Sequence, residues 1–276
     1  MGISILRQQI SVIARVSRRS FSSTVKIMDI GFNGKRALVT GAGKGIGRAL
    51  TLKLVEGGAE VVAVSRTQSD LDALQKISPK IQPLCLDIGK WEETRHAMKN
   101  VGPVDYLVNN AAIMDVKEYG ELTEKELDRT LNINVKSIVN ITQIIANEMK
   151  ARGQGGSIVN VSSMLALYTV HGYGFYCASK AAVHQLTRSM ALEYGPYNIR
   201  VNSVNPTIVR TAMAEKENLF DPNNQFITMM KSRTPLKRFC EPEEVVNPIL
   251  FLLSDKAAMV TGIAMPIDGG LSVSFA

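Results

Sequence analysis

The sequence predicts an α/β protein: a single doubly wound domain over residues 29–276, with a seven-stranded parallel sheet and helices on both faces. Three observations predict it. Short β-branched runs alternate with longer helical runs from Lys35 onward, each helical run is long enough to cross from one parallel strand to the next, and no internal repeat or low-complexity linker interrupts the alternation.

In chain order, the strand Arg36–Thr40 leads through a glycine turn into the helix Gly45–Glu56. The strand Glu60–Ser65, a helix over 69–77 and a strand over 81–86 follow. Next come the helix Trp91–Lys99, the strand Tyr106–Asn109, one long helix over 124–150 and a strand over 157–162. The chain closes with a helix over 175–194, a strand over 200–204, the helix Pro242–Leu253 and a strand over 263–267. The one irregular insertion, 207–238, lies after the sixth strand, and a long connection at the strand ends of such a sheet reads as a substrate lid.

The first turn reads Thr40-Gly41-Ala42-Gly43-Lys44-Gly45-Ile46-Gly47-Arg48. Glycines let backbone amides approach a pyrophosphate, and the start of a helix favours its charge. A tight strand-to-helix turn with no ligand is the competing reading, and the βαβ context favours the dinucleotide. A ribose with free hydroxyls calls for an acid where the second strand ends, but that strand runs into Ser65-Arg66-Thr67. Arg66 offers a planar donor fork to a 2′-phosphate and Lys44 a second cation, so the expected cofactor is NADP(H).

Tyr176 and Lys180 are four apart at the start of a helix, so both side chains share one face. The ammonium there, aided by an oxidised nicotinamide ring, is expected to favour phenolate and to pull the Tyr176 hydroxyl below its ordinary pKa. Ser163 follows the fifth predicted strand, where its hydroxyl can donate to a substrate carbonyl; Ser162 is the neighbouring candidate and should face the other side.

These residues carry a resemblance. Over about 34–274 the chain resembles the classical short-chain dehydrogenase/reductases, through Thr40-Gly41 to Gly47, Asp87, Asn109-Asn110-Ala111-Ala112, Asn134, Ser163, Tyr176 and Lys180 in the family's order. The resemblance implies a Rossmann-type fold and a carbonyl oxidoreductase with Asn134, Ser163, Tyr176 and Lys180 as catalytic residues. It implies that Asn134 holds a water in a relay with Lys180, with Asn132 as the competing residue. It places Asp87 at the adenine, Asn110 and Ala111 along the ribose path, and Lys180 on the nicotinamide ribose. Ile208, Val209 and Thr211 fall at the nicotinamide carboxamide, after a turn in which the family's usual Pro-Gly is here Pro206-Thr207.

Within the family, stretches such as 41–48, 64–67 and 201–207 are most similar to the dicarbonyl/L-xylulose reductases and the lung-type carbonyl reductases. That similarity implies NADPH, a homotetramer, and a small ketone, α-dicarbonyl or L-xylulose as substrate, with Met164 and Tyr173 joining Ser163 and Tyr176 at its binding site. Two other functions stay in view. One is reduction of a 3-oxoacyl thioester, for which Lys231, Arg233, Lys237 and Arg238 offer a basic docking stretch; the other is a scaffold or RNA-processing subunit, against which an intact Asn/Ser/Tyr/Lys set weighs.

A net charge of +7 looks suited to nucleic acid until it is located. Arg7, Arg15, Arg18, Arg19 and Lys26 lie in residues 1–28, which hold no acid, leaving +2 for the rest. No nucleic-acid partner is therefore expected, and no apolar run approaches the about 18 residues of a membrane span. With seven Ser or Thr and arginines opposite Leu6, Ile10, Ile13 and Val16, residues 1–28 read as a mitochondrial presequence directing the chain to the matrix. A cytoplasmic protein started internally at Met28 is the alternative. Cys85, Cys177 and Cys240 lack metal-ligand spacing and are expected as buried free thiols; no metal is expected. His171 is expected in a loop, and none of the three histidines suits a hydrolase triad.

Overall fold

The computed structural model describes residues 30–217, 219–221 and 223–274, so the segment read as a presequence lies outside the described residues. Seven strands, β1 (Arg36–Thr40), β2 (Glu60–Ser65), β3 (Ile81–Cys85), β4 (Tyr106–Asn109), β5 (Gly156–Val161), β6 (Ile199–Pro206) and β7 (Ala264–Ile267), form one sheet in the order β3-β2-β1-β4-β5-β6-β7. Every pair is parallel. The helices are α1 (Gly45–Glu56), α2 (Gln68–Gln75), α3 (Trp91–Lys99), α4 (Glu124–Leu131), α5 (Ser137–Arg152), α6 (Gly174–Tyr194), α7 (Ala212–Lys216), α8 (Gln225–Arg233) and α9 (Pro242–Leu253).

Strand residues alternate between two buried faces. Ala37, Val39, Val61 and Ala63 pack with Leu50 and Leu54 of α1, Leu71 and Leu74 of α2 and Val245, Val246 and Ile249 of α9. Leu38, Val62, Val64 and Leu107 point the other way, onto Met98 of α3, Ile141 and Ile145 of α5 and Val183 and Met190 of α6. Both faces are dry, as a parallel sheet between two helical layers requires.

The long helix expected over 124–150 is interrupted. Residues Asn132–Lys136 form a π-helical turn between α4 and α5. Asn134 supplies the reason: its Oδ1 accepts from Ile113 N at 2.9 Å, and its Nδ2 donates to Ile113 O at 2.9 Å and Ser179 Oγ at 3.1 Å. These bonds hold the asparagine toward α6, and the helix widens by one residue to keep it there. Cys177 and Cys240 are buried as expected, but Cys85 is exposed. It ends the edge strand β3, which has a neighbour on one side only.

A polar row crosses the second face. Asn109 and Asn160 are register partners on β4 and β5. Asn109 Nδ2 donates to Asn160 Oδ1 at 2.9 Å and Thr142 Oγ1 at 3.1 Å, and Asn160 Nδ2 donates to Thr187 Oγ1 at 2.9 Å. The row fixes the strand ends that carry the cleft to α5 and α6. Replacing Asn160 by Ala strips partners from buried groups, so Asn160→Ala is expected to lower stability by about 1–3 kcal/mol. Urea denaturation checks this; a change under about 0.5 kcal/mol, the size of an ordinary surface substitution, overturns it.

Candidate active site

The strand order reverses between β1 and β4, so the connections from their carboxyl ends diverge and a crevice opens there. A cleft of about 460 Å³ occupies it. Thr40, the last residue of β1, ties its rim: Oγ1 accepts from the backbone N–H of Asn110 and of Ala111, each at 3.0 Å. Asn110 Nδ2 donates back to Thr40 O at 2.9 Å and Gly41 O at 3.3 Å. Asn110 therefore lines the cleft as expected, while its amide is committed to the glycine turn.

The turn is a cradle in which side chains have no room. A Cβ at Gly47 would stand 2.2 Å from Gly41 O, and one at Gly41, whose φ is +66°, would stand 2.8 Å from Asn110 Nδ2. The α1 N-cap, Lys44, makes no side-chain cap, and the first turn of α1 has no acid, so its backbone N–H groups face the cleft unneutralised. That surface fits a diphosphate. Gly41, Gly43, Lys44, Gly45, Ile46, Ser65, Arg66, Thr67, Asp87, Asn110 and Ala111 all line the cleft; Gly47 is buried beneath it. Asp87 is held by Gly89 N donating to Oδ1 at 3.0 Å.

Ile208, Val209 and Thr211 line the far wall. Thr207 takes the place of the family's glycine without strain: its φ is not positive, and its N–H donates to Ile267 O at 3.1 Å. The 207–238 insertion is stapled at its base, where Val209 and Cys240 form a parallel bridge.

At the centre, Tyr176 and Lys180 rise from the start of α6, both buried, with Lys180 Nζ 5.6 Å from the Tyr176 ring centroid. Nζ donates to Val161 O at 2.9 Å. Ser163 faces the cleft beside Tyr176, and its Oγ accepts from Leu165 N at 3.1 Å. Ser162 Oγ instead donates to Lys180 O at 3.0 Å, anchoring the helix. Asn134 reaches the same group from behind: Ser179, its acceptor, donates to Tyr176 O at 2.7 Å. Asn134 is buried and Asn132 is partly exposed, which separates the two asparagines.

Burial dominates the Tyr176 phenol and pushes it up to about 12, with Ser163 opposing it. Burial also lowers the Lys180 ammonium to about 8.

Met164 and Tyr173 also line the cleft. Sequence reasoning missed Tyr168 and Val170, in the segment after Ser163, and Phe226 and Met230, in the insertion, all of which line it too. It also missed Asp70, which reaches the cleft from the first turn of α2, where an α-helical offset hides it from inspection of the strand end. His171 stays on the surface beside Glu118, as a loop residue. The basic stretch is partly neutralised, since Arg238 forms a two-pronged pair with Glu244.

Comparison with known proteins agrees with this architecture. The sequence model of the family described as enoyl-(acyl carrier protein) reductase matches residues 41–272. L-xylulose reductase of Mus musculus is 49% identical over 243 residues, covering 88% of this chain and 98% of the relative. Carbonyl reductase [NADPH] 2 of Sus scrofa is 48% identical over 247 residues, covering 90% of this chain and all of the relative. A crystal structure of gluconate 5-dehydrogenase from Burkholderia cenocepacia, in complex with NADP and tartrate, superposes with a TM-score of 0.83 at 28% identity, over 89% of this chain and 98% of that one. With a matching family model over most of its length and relatives at nearly half identity, the chain belongs to the short-chain dehydrogenase/reductase family.

Proposed function

We propose that the protein is an NADPH-dependent carbonyl reductase acting on a small ketone, an α-dicarbonyl or L-xylulose. The observation that carries it is the Ser163–Tyr176 hydroxyl pair beside buried Lys180, at the mouth of a glycine cradle with Arg66 and Lys44 at one end. The relatives named for L-xylulose and NADPH-linked carbonyl reduction support the same reading.

The glycine turn would hold the diphosphate, with Arg66, Lys44, Ser65 and Thr67 at the 2′-phosphate, Asp87 at the adenine, and Ile208, Val209 and Thr211 at the carboxamide. NADPH, when bound, supplies the hydride. Ser163 donates a hydrogen bond to the carbonyl oxygen, and Tyr176 delivers its proton to the alkoxide that hydride addition leaves. Burial, which favours the protonated phenol, suits Tyr176 to that role. Lys180 spends one N–H on Val161 O and has two left, for a ribose hydroxyl and for returning a proton toward Tyr176. Asn134 sits in the π turn behind them, positioned for the water relay that family resemblance implies. Residues 207–238 act as a lid whose Phe226 and Met230 keep bulk water from the reacting atoms.

An acyl-carrier partner is less favoured, because Arg238 is occupied by Glu244. We also propose import to the mitochondrial matrix, supported by the acid-free, arginine-bearing residues 1–28, and a homotetramer. Apolar side chains left exposed where α6 ends support assembly: Leu192 is 81% exposed, and Met259, in the loop packed beside Ala191, is 96% exposed.

Tyr176→Phe removes the hydroxyl and keeps the ring, so NADPH binding should survive while turnover falls by about 10² to 10⁴. Steady-state rates with diacetyl and L-xylulose, alongside fluorescence titration of NADPH, check this; a variant within a few-fold of wild type in turnover refutes the mechanism. The pH dependence has a defined sign. Lys180 is charged below about 8 and Tyr176 protonated below about 12, so reductive kcat/KM should fall as pH rises through about 8, on the lysine's titration. A profile that stays flat to pH 10 contradicts it. For targeting, residues 1–28 fused to a fluorescent protein should enter mitochondria, and diffuse cytosolic fluorescence would count against import.

A further inference from the structure

Asp70 is a carboxylate in a wall otherwise suited to an anion. It stands in the first turn of α2, lines the cleft, and places Oδ2 3.6 Å from Lys44 Nζ. Its side chain is 22% exposed, against 67% for Lys44, so the acid is the more enclosed member of the pair. The glycine turn rests on it: a Cβ at Gly43 would stand 2.9 Å from Asp70 Cβ, 3.1 Å from Asp70 Oδ2 and 2.8 Å from Ser65 Oγ. Asp70, Ser65 and Lys44 thus share one corner of the cleft, and Arg66, next to Ser65 in the chain, lines the same cleft.

A phosphate monoester carries about −1.5 to −2 charge at neutral pH. Placed between Arg66 and Lys44 it must compete with Asp70 for the ammonium and meet a like charge within a few ångströms, where unit charges still interact appreciably in a partly desolvated cleft. A 2′-hydroxyl does neither.

We infer that Asp70 tempers the hold on the 2′-phosphate. In the empty cleft it keeps Lys44 against the glycine turn and offsets the repulsion between Lys44 and Arg66. When the phosphate enters, Lys44 passes from Asp70 to the phosphate, and the carboxylate left behind weakens the complex and hastens release of the oxidised cofactor. The inference rests on the NADPH reading and makes Asp70 a specificity-determining residue that acts through Lys44.

Calorimetric titration of the full chain with 2′,5′-ADP and with 5′-AMP separates the two levels of argument. Asp70→Asn should tighten 2′,5′-ADP by about tenfold, the size of one screened charge interaction at this range, and leave 5′-AMP within about twofold. In a Lys44→Met background the same substitution should gain less than about threefold, because residues that share a partner are not additive. Stopped-flow release of NADP⁺ should slow in Asp70→Asn by a similar factor. Weaker 2′,5′-ADP binding by Asp70→Asn, equal shifts for both nucleotides, or an undiminished gain in the Lys44→Met background each overturn the inference. A wild type that binds 5′-AMP as tightly as 2′,5′-ADP removes the NADPH reading itself.

Discussion

Everything in the cleft hangs on the tie between the ends of β1 and β4. These strands are neighbours in the sheet but far apart in the chain, and their outgoing segments turn in opposite directions. Thr40 bridges the gap with one hydroxyl that accepts two backbone N–H groups, and Asn110 returns two bonds to the carbonyls of Thr40 and Gly41. Without that seam the glycine turn would have no fixed partner across the crevice. With it, Gly47 can sit so close to Gly41 O that even a methyl group is excluded. The cradle is rigid because its neighbours are tied, and the glycines are the consequence.

The reacting end answers a different constraint, a buried ammonium. Removing Lys180 from water disfavours its charge, and among the described residues no carboxylate pairs with it; Val161 O is its bonded acceptor. The site tolerates this because the lysine is fixed at both ends, through Nζ to β5 and through its carbonyl to Ser162. For the neighbouring phenol, burial is the larger influence, and it favours the protonated form. The resting site is thereby set for donating a proton, which suits reduction.

Much of this was legible in the chain. Alternating short apolar and longer periodic runs gave the strands and most helices within a residue or two, because parallel strands buried on both faces leave a strong signature. Tyr176, Lys180 and Ser163 were legible since a four-residue helical offset and a strand end fix where side chains point. What escaped depends on contacts across the fold. The π turn arises from Asn134 bonding Ile113 and Ser179, residues 21 and 45 positions away. Cys85 is exposed because β3 is an edge strand, which strand order decides. Asp70 was passed over because the search for an acid stopped at the strand end, while the helix that follows folds its first turn back over the glycines. The direction of the Tyr176 shift required knowing how deeply the phenol is buried, a quantity that no motif contains.

The substrate end shows how selectivity follows from the same physics. Met164, Phe226 and Met230 form an apolar wall, and Ser163, Tyr173 and Tyr176 bring hydroxyls to the same cleft. An apolar wall cannot repay the water that a polyol gives up, so each substrate hydroxyl brought against it costs free energy unless a tyrosine or serine meets it. A vicinal dicarbonyl has no hydroxyl to satisfy and needs a donor mainly at the carbonyl being reduced, which Ser163 and Tyr176 supply. A ketose must recover its desolvation cost from those few hydroxyls, and its fit depends on how they are spaced. Under the proposed reading, discrimination between the two substrate types would reside in the wall to which Met164, Phe226 and Met230 contribute, while the proton-transfer group would treat both carbonyls alike.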